Sequence, residues 1–400
     1  MNRFSLAVFA ILAWYTPYRP TTAIAAEKET PAAALKRARG LLDAGSSQEA
    51  MPILDQLIEK NPQNAEAYSW RGRAIAASGN MAKAMADLDR AIELNPRLAQ
   101  AYVNRAAVWL LSKDEAHGSA DLETAIKLDP RNARAYVTRG ALHLVHQEYP
   151  EALADENKAI QLDPNLAVAF RNMANVKREM HDVNGSLAAA EKGVELAPAN
   201  PESYAIRAAT TWALSKDWRS AIVDYGRAIR LAPQASQAQR AVWYYNRGQI
   251  RCQVGDLRAG LPDLNVAVSL DPTSQLFRER RALVRYDLKD TDGSFSDFDR
   301  LVEMNPKNPT YYYNRGLAMV QVDRKSLDDF TKAIELKPDL AVAFTRRGYG
   351  HLWWGQEEEA HADFAQALKL QPELKDDIDY MTQFAKQFRP HRESPRPPAP

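Results

Sequence analysis

The chain has 400 residues with 52 Lys and Arg against 51 Asp and Glu, a balance that leaves no electrostatic footprint for nucleic acid or an anionic membrane. Cys252 is the only cysteine, so an intrachain disulfide framework is excluded. Its place among helical apolar positions predicts a buried free thiol, with a mixed disulfide as the alternative.

The chain opens on a segment unlike the rest. After Arg3 the apolar run FSLAVFAILAWY is too short to span a bilayer, and a Pro-containing stretch then leads to Ala23, Ile24 and Ala25, a small-x-small site. Residues 1–25 read as a secretory signal peptide cleaved after Ala25 or Ala26, which predicts an exported protein, periplasmic or secreted. Arg19 and two prolines leave an uncleaved anchor as the alternative. Cleavage removes Arg3 and Arg19 and leaves 50 basic against 51 acidic residues. No Cys stands at the site to carry a lipid, and no later segment has the length and hydropathy of a transmembrane helix.

From Pro31 onward the sequence repeats. YYNRG stands at Tyr244–Gly248 and again at Tyr312–Gly316, 68 residues on, which is twice 34. Prolines closing ELNP-like or LDP-like phrases at Pro62, Pro96, Pro130, Pro164 and Pro198 keep the 34-residue interval, and those at Pro233, Pro272, Pro306, Pro338 and Pro372 depart from it only by small indels. Ten units follow: 31–64, 65–98, 99–132, 133–166, 167–200, 201–240, 241–274, 275–308, 309–340 and 341–374. With Ala65 as first position, the eighth is Gly or Ala in all ten units, as at Ala38, Gly72, Gly140, Gly316 and Gly348, and the twentieth is always small, as at Ala50, Ala84, Gly118 and Ala360. Small side chains at fixed places let two helices approach closely. The fourth position is aromatic in eight units, from Tyr68 and Tyr102 to Phe344, and is expected to supply buried area between neighbours. Apolar residues recur at helical spacing on both sides of a Gly, Asp or Asn turn, so each unit reads as two antiparallel helices with the second ended by proline.

These small, aromatic and proline columns resemble the tetratricopeptide repeat across Pro31 to Leu374. The resemblance implies an all-α fold, a right-handed solenoid of antiparallel helix pairs with a concave surface lined by the first helix of each pair. Such an array is stabilised by contacts between neighbouring repeats rather than by one central core.

Nine units carry Arg at the seventh position, and most of them carry Asp sixteen residues later. The pairs are Arg71 with Asp87, Arg105 with Asp121, Arg139 with Asp155, Arg207 with Asp224, Arg247 with Asp263, Arg281 with Asp297, Arg315 with Asp329 and Arg347 with Asp363, after correction for indels. The fifth unit has Met173 and Ala189 instead, and this joint loss predicts structural ion pairs between the two helices of a repeat. Unit one, with Arg37 but Ile53, is the exception. At the sixth position Asn stands in alternate units, at Asn104, Asn172, Asn246 and Asn314, with Asn175 nearby. An amide can donate to a carbonyl and accept from an amide, so the row is expected to hold the backbone of an extended peptide in the groove, similar to the asparagine row of O-GlcNAc transferase repeats. Trp70, Arg73, Arg171, Tyr245, Arg280, Tyr313, Arg346, Tyr349 and Trp353 surround the row as candidate interface anchors. The two-carboxylate clamp of chaperone-tail receptors is not expected: Asn314 and Arg346 fall in suitable places, but Glu279, Leu283 and Val342 occupy the others.

Three departures interrupt the period. Five extra residues precede Tyr244, either lengthening the next helix or forming a protruding turn, and make 234–241 the candidate hinge. Unit six has one extra residue near Lys216, and unit nine is two residues short. After the repeats, residues 375–389 place Ile378, Met381, Phe384 and Phe388 on one stripe, predicting a capping helix. Residues 390–400 read as a disordered Pro-rich tail, whose Arg392, Pro395 and Pro398 also fit a polyproline ligand spacing.

Nothing points to catalysis. His143 and His146 lack an obvious third metal ligand, and there is no phosphate loop, nucleophile elbow or catalytic carboxylate pair, so no enzyme activity, metal or cofactor is expected. The leading expectation is a scaffold that binds a protein or peptide in the concave groove. The alternative is a structural assembly or self-associating component of a cell-envelope complex acting through the convex face.

Overall fold

The computed structural model describes residues 29–43, 45–231, 237–319 and 323–388. The expected signal peptide, the Pro-rich tail and residues 234–236 of the candidate hinge lie outside them. Among the described residues the fold is all-α, in tandem helix pairs. The first compact unit, up to Val254, contains α1 (Pro31–Asp43), α2 (Ser47–Lys60), α3 (Ala65–Ala77), α4 (Met81–Leu94), α5 (Ala99–Leu111), α6 (Glu115–Leu128), α7 (Ala133–His146), α8 (Tyr149–Leu162), α9 (Ala167–Glu179), α10 (Val183–Leu196), α11 (Pro201–Thr210), α12 (Trp218–Leu231) and α13 (Gln237–Gln253). The second, from Gly255, contains α14 (Leu257–Leu270), α15 (Gln275–Asp287), α16 (Thr291–Met304), α17 (Pro309–Met319), α18 (Ser326–Leu336), α19 (Ala341–Trp353), α20 (Glu357–Leu370) and α21 (Lys375–Phe388).

Local chemistry sets the helix ends. Side-chain oxygens of Asn64, Asn80, Asp114, Asp182, Asp256 and Asp290 accept from the first free backbone N–H groups of the helices that follow them. At the other end, the residue before proline is pushed out of the helical region, so α2 stops at Asn61 and α4 at Asn95, both extended. Close packing within pairs explains the small column: a Cβ on Gly72 would stand 2.7 Å from Leu88 Cγ, and one on Gly316 would stand 2.8 Å from Phe330 Cε1. Across the gap lies a column of buried residues on the second helices, with Leu54, Leu88, Leu122, Leu264, Phe298, Phe330 and Phe364.

The arginines at the seventh position bind carboxylates in two-point contact. Nε and Nη2 of Arg71, Arg105, Arg139, Arg207, Arg315 and Arg347 donate to the two oxygens of the Asp on the facing helix, at 2.6–3.0 Å. Arg281 does the same to Asp297, which also accepts from Arg278 and Arg285. The remaining Nη1 of Arg71, Arg105 and Arg315 reaches back to Asp55, Asp89 and Asp299 of the preceding repeat at 2.6–2.9 Å. Each guanidinium therefore ties two repeats as well as two helices. Arg247 stands over the Tyr244 ring in the first unit, and Asp263 is buried in the second. Arg37 pairs with Glu29 instead.

The aromatic column works differently from the expectation of plain buried area. Tyr102, Tyr136 and Tyr312 are only half-buried; with Tyr204 they donate their hydroxyls to the carbonyl of the proline six residues earlier, and the next ladder Arg covers each ring. Tyrosine, proline and arginine columns thus form one local device.

Two irregularities are absorbed inside helices. The extra residue of unit six becomes a π-helical turn, Thr211–Ser215, ending at Lys216 with φ +57°. The described part of the five-residue insertion lengthens α13 to 17 residues. The unit boundary set at 240/241 therefore falls inside a helix, and the two compact units part between Val254 and Gly255. The reason is packing: Gln239 and Ala241 are buried, and Gln239 Nε2 donates to Glu202 on α11 at 2.7 Å. In α21 the buried stripe is Ile378, Met381 and Ala385; Phe384 is half-buried and Phe388 is 53% exposed, so the contact runs through Ala385 and only the last residues stand clear.

Candidate functional site

The expected row of free asparagines is not what the structure presents. Asn104 is buried and donates to the Ser69 carbonyl and hydroxyl, while its oxygen accepts from Gln100. Asn172 is buried and donates to Glu156 Oε1 at 3.0 Å. Asn246 donates to the Tyr225 hydroxyl at 3.1 Å. Asn314 is half-buried on α17. In a closely stacked array the sixth position faces the neighbouring helix, which takes up the amide. Several expected anchors are interior for the same reason. Trp70, Arg73, Arg171 and Tyr245 are each at most 6% exposed. Arg73 is held by Asp43, which also takes Arg134 at 2.6 Å. Burial works to raise the Asp43 carboxyl, but the charges of Arg134 and Arg73 outweigh it and hold it below the ordinary range. That cluster lines a cleft of about 380 Å³ with Arg171, whose guanidinium burial draws down to about 10. Its charges are largely answered from within. His143 and His146 face Glu148 and Glu115 respectively rather than a shared ligand, and Cys252 is buried.

The repeat columns show where chemistry intrudes. On the second helices, the column of Leu and Phe is broken by Glu156, Ala190 and Tyr225. On the first helices, a buried column of Leu42, Ala76, Leu110 and Leu144 continues into Arg178. Apolar residues fill both columns in most other repeats, so these polar residues stand out as exceptions. Burial pushes Glu156 well above the ordinary carboxyl range, while Asn172 Nδ2 donates to its Oε1.

Arg178 and Tyr225 meet in one cleft. Two recesses of about 60 and 240 Å³ share Arg178, Ala209, Tyr225 and Asn246 in their walls. The first helices of three successive pairs build it: α9 supplies Asn175 and Arg178, α11 supplies Glu202 and Ile206, and α13 supplies Trp243, Asn246 and Gln249. The π-helical turn swings Trp212 and Ala213 into the outer recess. Both insertions of the sequence thus border the same cleft. Its polar groups are not self-satisfied: Arg178 Nη1 and Gln249 Oε1 are buried and make no hydrogen bond, leaving one cationic donor and one neutral acceptor. The other Arg178 nitrogen, Nη2, has only a long 3.4 Å contact to Glu179. Burial pushes the Tyr225 phenol up to about 12, keeping it a neutral donor, and pushes the Glu202 carboxyl up to about 7 against the Arg171 charge and the Gln239 hydrogen bond. Of the expected site residues, Asn175 and Asn246 lie in this cleft. Arg178, Gln249, Trp212 and Tyr225 were not among them, although stacking the buried columns exposes Arg178 and Tyr225 as misfits.

In the second unit, Arg346 and Tyr349 line a different cleft with Tyr286, Lys289, Tyr380 and Phe384, about 360 Å³ in volume. Tyr313 adjoins Arg346, and burial pushes its phenol up against that charge. Trp353 stacks on Phe384, and Arg280 is half-buried on α15. Among the described residues no helix is long and apolar enough to cross a membrane.

A tetratricopeptide repeat family model matches residues 35–113 and 118–167. The protein STIP1 homolog of Dictyostelium discoideum is 34% identical over 106 residues, covering 24% of this chain and 19% of that protein. The Hsp70-Hsp90 organizing protein of Triticum aestivum is 38% identical over 82 residues, covering 20% and 14%. The chain thus spans about a fifth or less of the length of these curated relatives. Among solved structures, a human IFIT1 dimer with PPP-AAAA aligns with a TM-score of 0.51 at 18% identity, covering 84% of this chain and 85% of that one, a likeness of fold alone. Residues 35–113 and 118–167 are therefore tetratricopeptide repeats, built from the same tandem helix pairs that run through the rest of the described chain.

Proposed function

We propose that the chain is a non-enzymatic scaffold that binds a partner protein, and that the cleft between α9, α11 and α13 holds an extended segment of that partner. The observation that carries this reading is the pair of buried, unbonded atoms on residues that line it, Arg178 Nη1 and Gln249 Oε1. An unmade buried hydrogen bond costs about 1–3 kcal/mol, which a ligand that completed it would recover. A peptide offers the complement, with a carbonyl or carboxylate for the guanidinium and an amide N–H for the glutamine. Trp212, Ile206 and Trp243 supply apolar walls for a side chain. The Hsp70-Hsp90 organizing protein is a partner-assembling protein by its name, which agrees with a scaffold role. Residues 1–25 add the inference that the scaffold is exported.

Site-specific photo-crosslinking tests the reading. With a benzophenone residue replacing Ala209 in the shared wall, a discrete adduct is expected from wild type and its loss from the Arg178→Leu variant. Adducts that persist unchanged in Arg178→Leu would place the working surface elsewhere.

A further inference from the structure

We propose that the second unit carries a separate binding site, an aromatic cleft that takes an acidic partner segment in which carboxylates alternate with aromatic side chains. The site is the cleft of about 360 Å³ between α15, α17, α19 and α21. Tyr286, Tyr349, Tyr380 and Phe384 give it an aromatic wall, and Trp353 and Phe388 extend the stack through Phe384 at 6.4 and 4.7 Å. Tyr380 is 68% exposed and Phe388 53%, an arrangement that an isolated capping helix has no use for.

Charge decides the occupant. The lining contains two cations, Lys289 and Arg346, and no carboxylate. The ladder arginines of this unit, by contrast, each hold an Asp. Arg346 is half-buried, donates from Nη1 to Met381 Sδ at 3.3 Å and adjoins the Tyr313 phenol. Lys289 stands over the Tyr286 ring at 5.9 Å, fixed at the rim by a left-handed backbone, φ +66°. Asp290, next to Lys289, is engaged elsewhere: it caps α16 and pairs with Arg285. Two cations without carboxylate partners over a π-rich wall match an anion carried beside an aromatic ring. The chain's own Pro-rich end has the wrong sign for this site, with Arg389, Arg392 and Arg396 against Glu393.

The test is calorimetric titration of the full chain with a hexapeptide alternating Glu or Asp with Phe, acetylated and amidated so that no terminal carboxylate takes part. Saturable binding is expected, weakening with added salt. Arg346→Glu and Lys289→Gln should each raise Kd about tenfold or more. Lys289 is exposed, so its variant keeps the fold, and the Arg346→Glu, Lys289→Glu double variant should instead bind a Lys and Phe peptide. The proposal is overturned if the wild type shows no saturable binding, if the Gln and Asn analogue of the peptide binds equally, or if Kd is unmoved by both substitutions. It is also overturned if sedimentation shows self-association that Arg346→Glu abolishes, which would make a second copy the occupant.

Discussion

Arg178→Leu should leave the protein more stable while removing its partner binding. Arg178 is 8% exposed in a column where the earlier repeats place Leu42, Ala76, Leu110 and Leu144, so leucine is the residue the packing would choose. Its Nη1 makes no hydrogen bond, a cost of about 1–3 kcal/mol in the unbound fold. The apolar stem of arginine already buries methylenes, so leucine adds little further burial. A void left by the guanidinium would offset part of the gain at about 24 cal/mol per Å³, but it opens into the 240 Å³ recess, where water can enter. The expected net is a stabilisation of about 1–2 kcal/mol. An array of repeats is not safely two-state, so urea unfolding should be paired with hydrogen exchange of the α9 amides, where the gain should appear as slower exchange. A destabilisation of about 1 kcal/mol or more would refute the reasoning, because the guanidinium would then be a structural part of the fold rather than a group kept for a ligand.

Asp297→Ala removes the acceptor shared by Arg278, Arg281 and Arg285 and should cost about 3–5 kcal/mol in urea unfolding, against about 0–1 kcal/mol for Asp55→Ala, whose side chain is 54% exposed. Glu202 has its carboxyl raised from 4.5 to about 7 by burial, so the folded state binds the extra proton and its contribution, of the order of 3 kcal/mol, is fully present below pH 4.5 and lost as pH rises to 7. Glu202→Gln should flatten stability across that window, and an unchanged pH profile would count against a buried acid. Gly316→Ala puts a Cβ 2.8 Å from the Phe330 ring and should cost about 1–3 kcal/mol by overpacking, measured by thermal unfolding. N-terminal sequencing of the exported protein should begin at Ala26 or Glu27 if the signal-peptide reading holds.

Much of the architecture is legible in the residues because repetition multiplies a weak signal. One Gly72 says little; ten small residues at that position state a close helix approach. The joint absence of Arg and Asp at Met173 and Ala189 allows the ion pair to be inferred before any distance is known. The second role of the ladder, from Arg71 to Asp55 and from Arg315 to Asp299, leaves a weaker trace, because Asp stands in that column only at Asp55, Asp89 and Asp299 and a pairing within one unit already accounts for the arginine. Asn104, Asn172 and Asn246 bond to neighbouring residues rather than standing free, for a physical reason. A polar side chain at a fixed helical position looks the same whether it faces solvent or a neighbouring helix, and at Asn104 the neighbour is the Ser69 carbonyl. The π-helical turn was visible only as one surplus residue near Lys216, with nothing to say that the helix rather than the loop would absorb it.

A repeat array separates architecture from function in a way a single-core domain does not. Whatever recurs in every unit has been selected by the contact between neighbours, and the ladder arginines answer their own charges with aspartates, leaving nothing for a partner. What a partner can use lies among the residues that break a column at a buried place and leave a bond unmade. Arg178 breaks a column of leucine and alanine, Tyr225 breaks a column of leucine and phenylalanine, and both insertions of the first unit border the cleft where those two meet. Four departures from the period thus meet at one place. The energetic conflict is what marks the place to test: in the proposed scaffold, the unit-five arginine stands where leucine would pack better and has a donor left over for a partner.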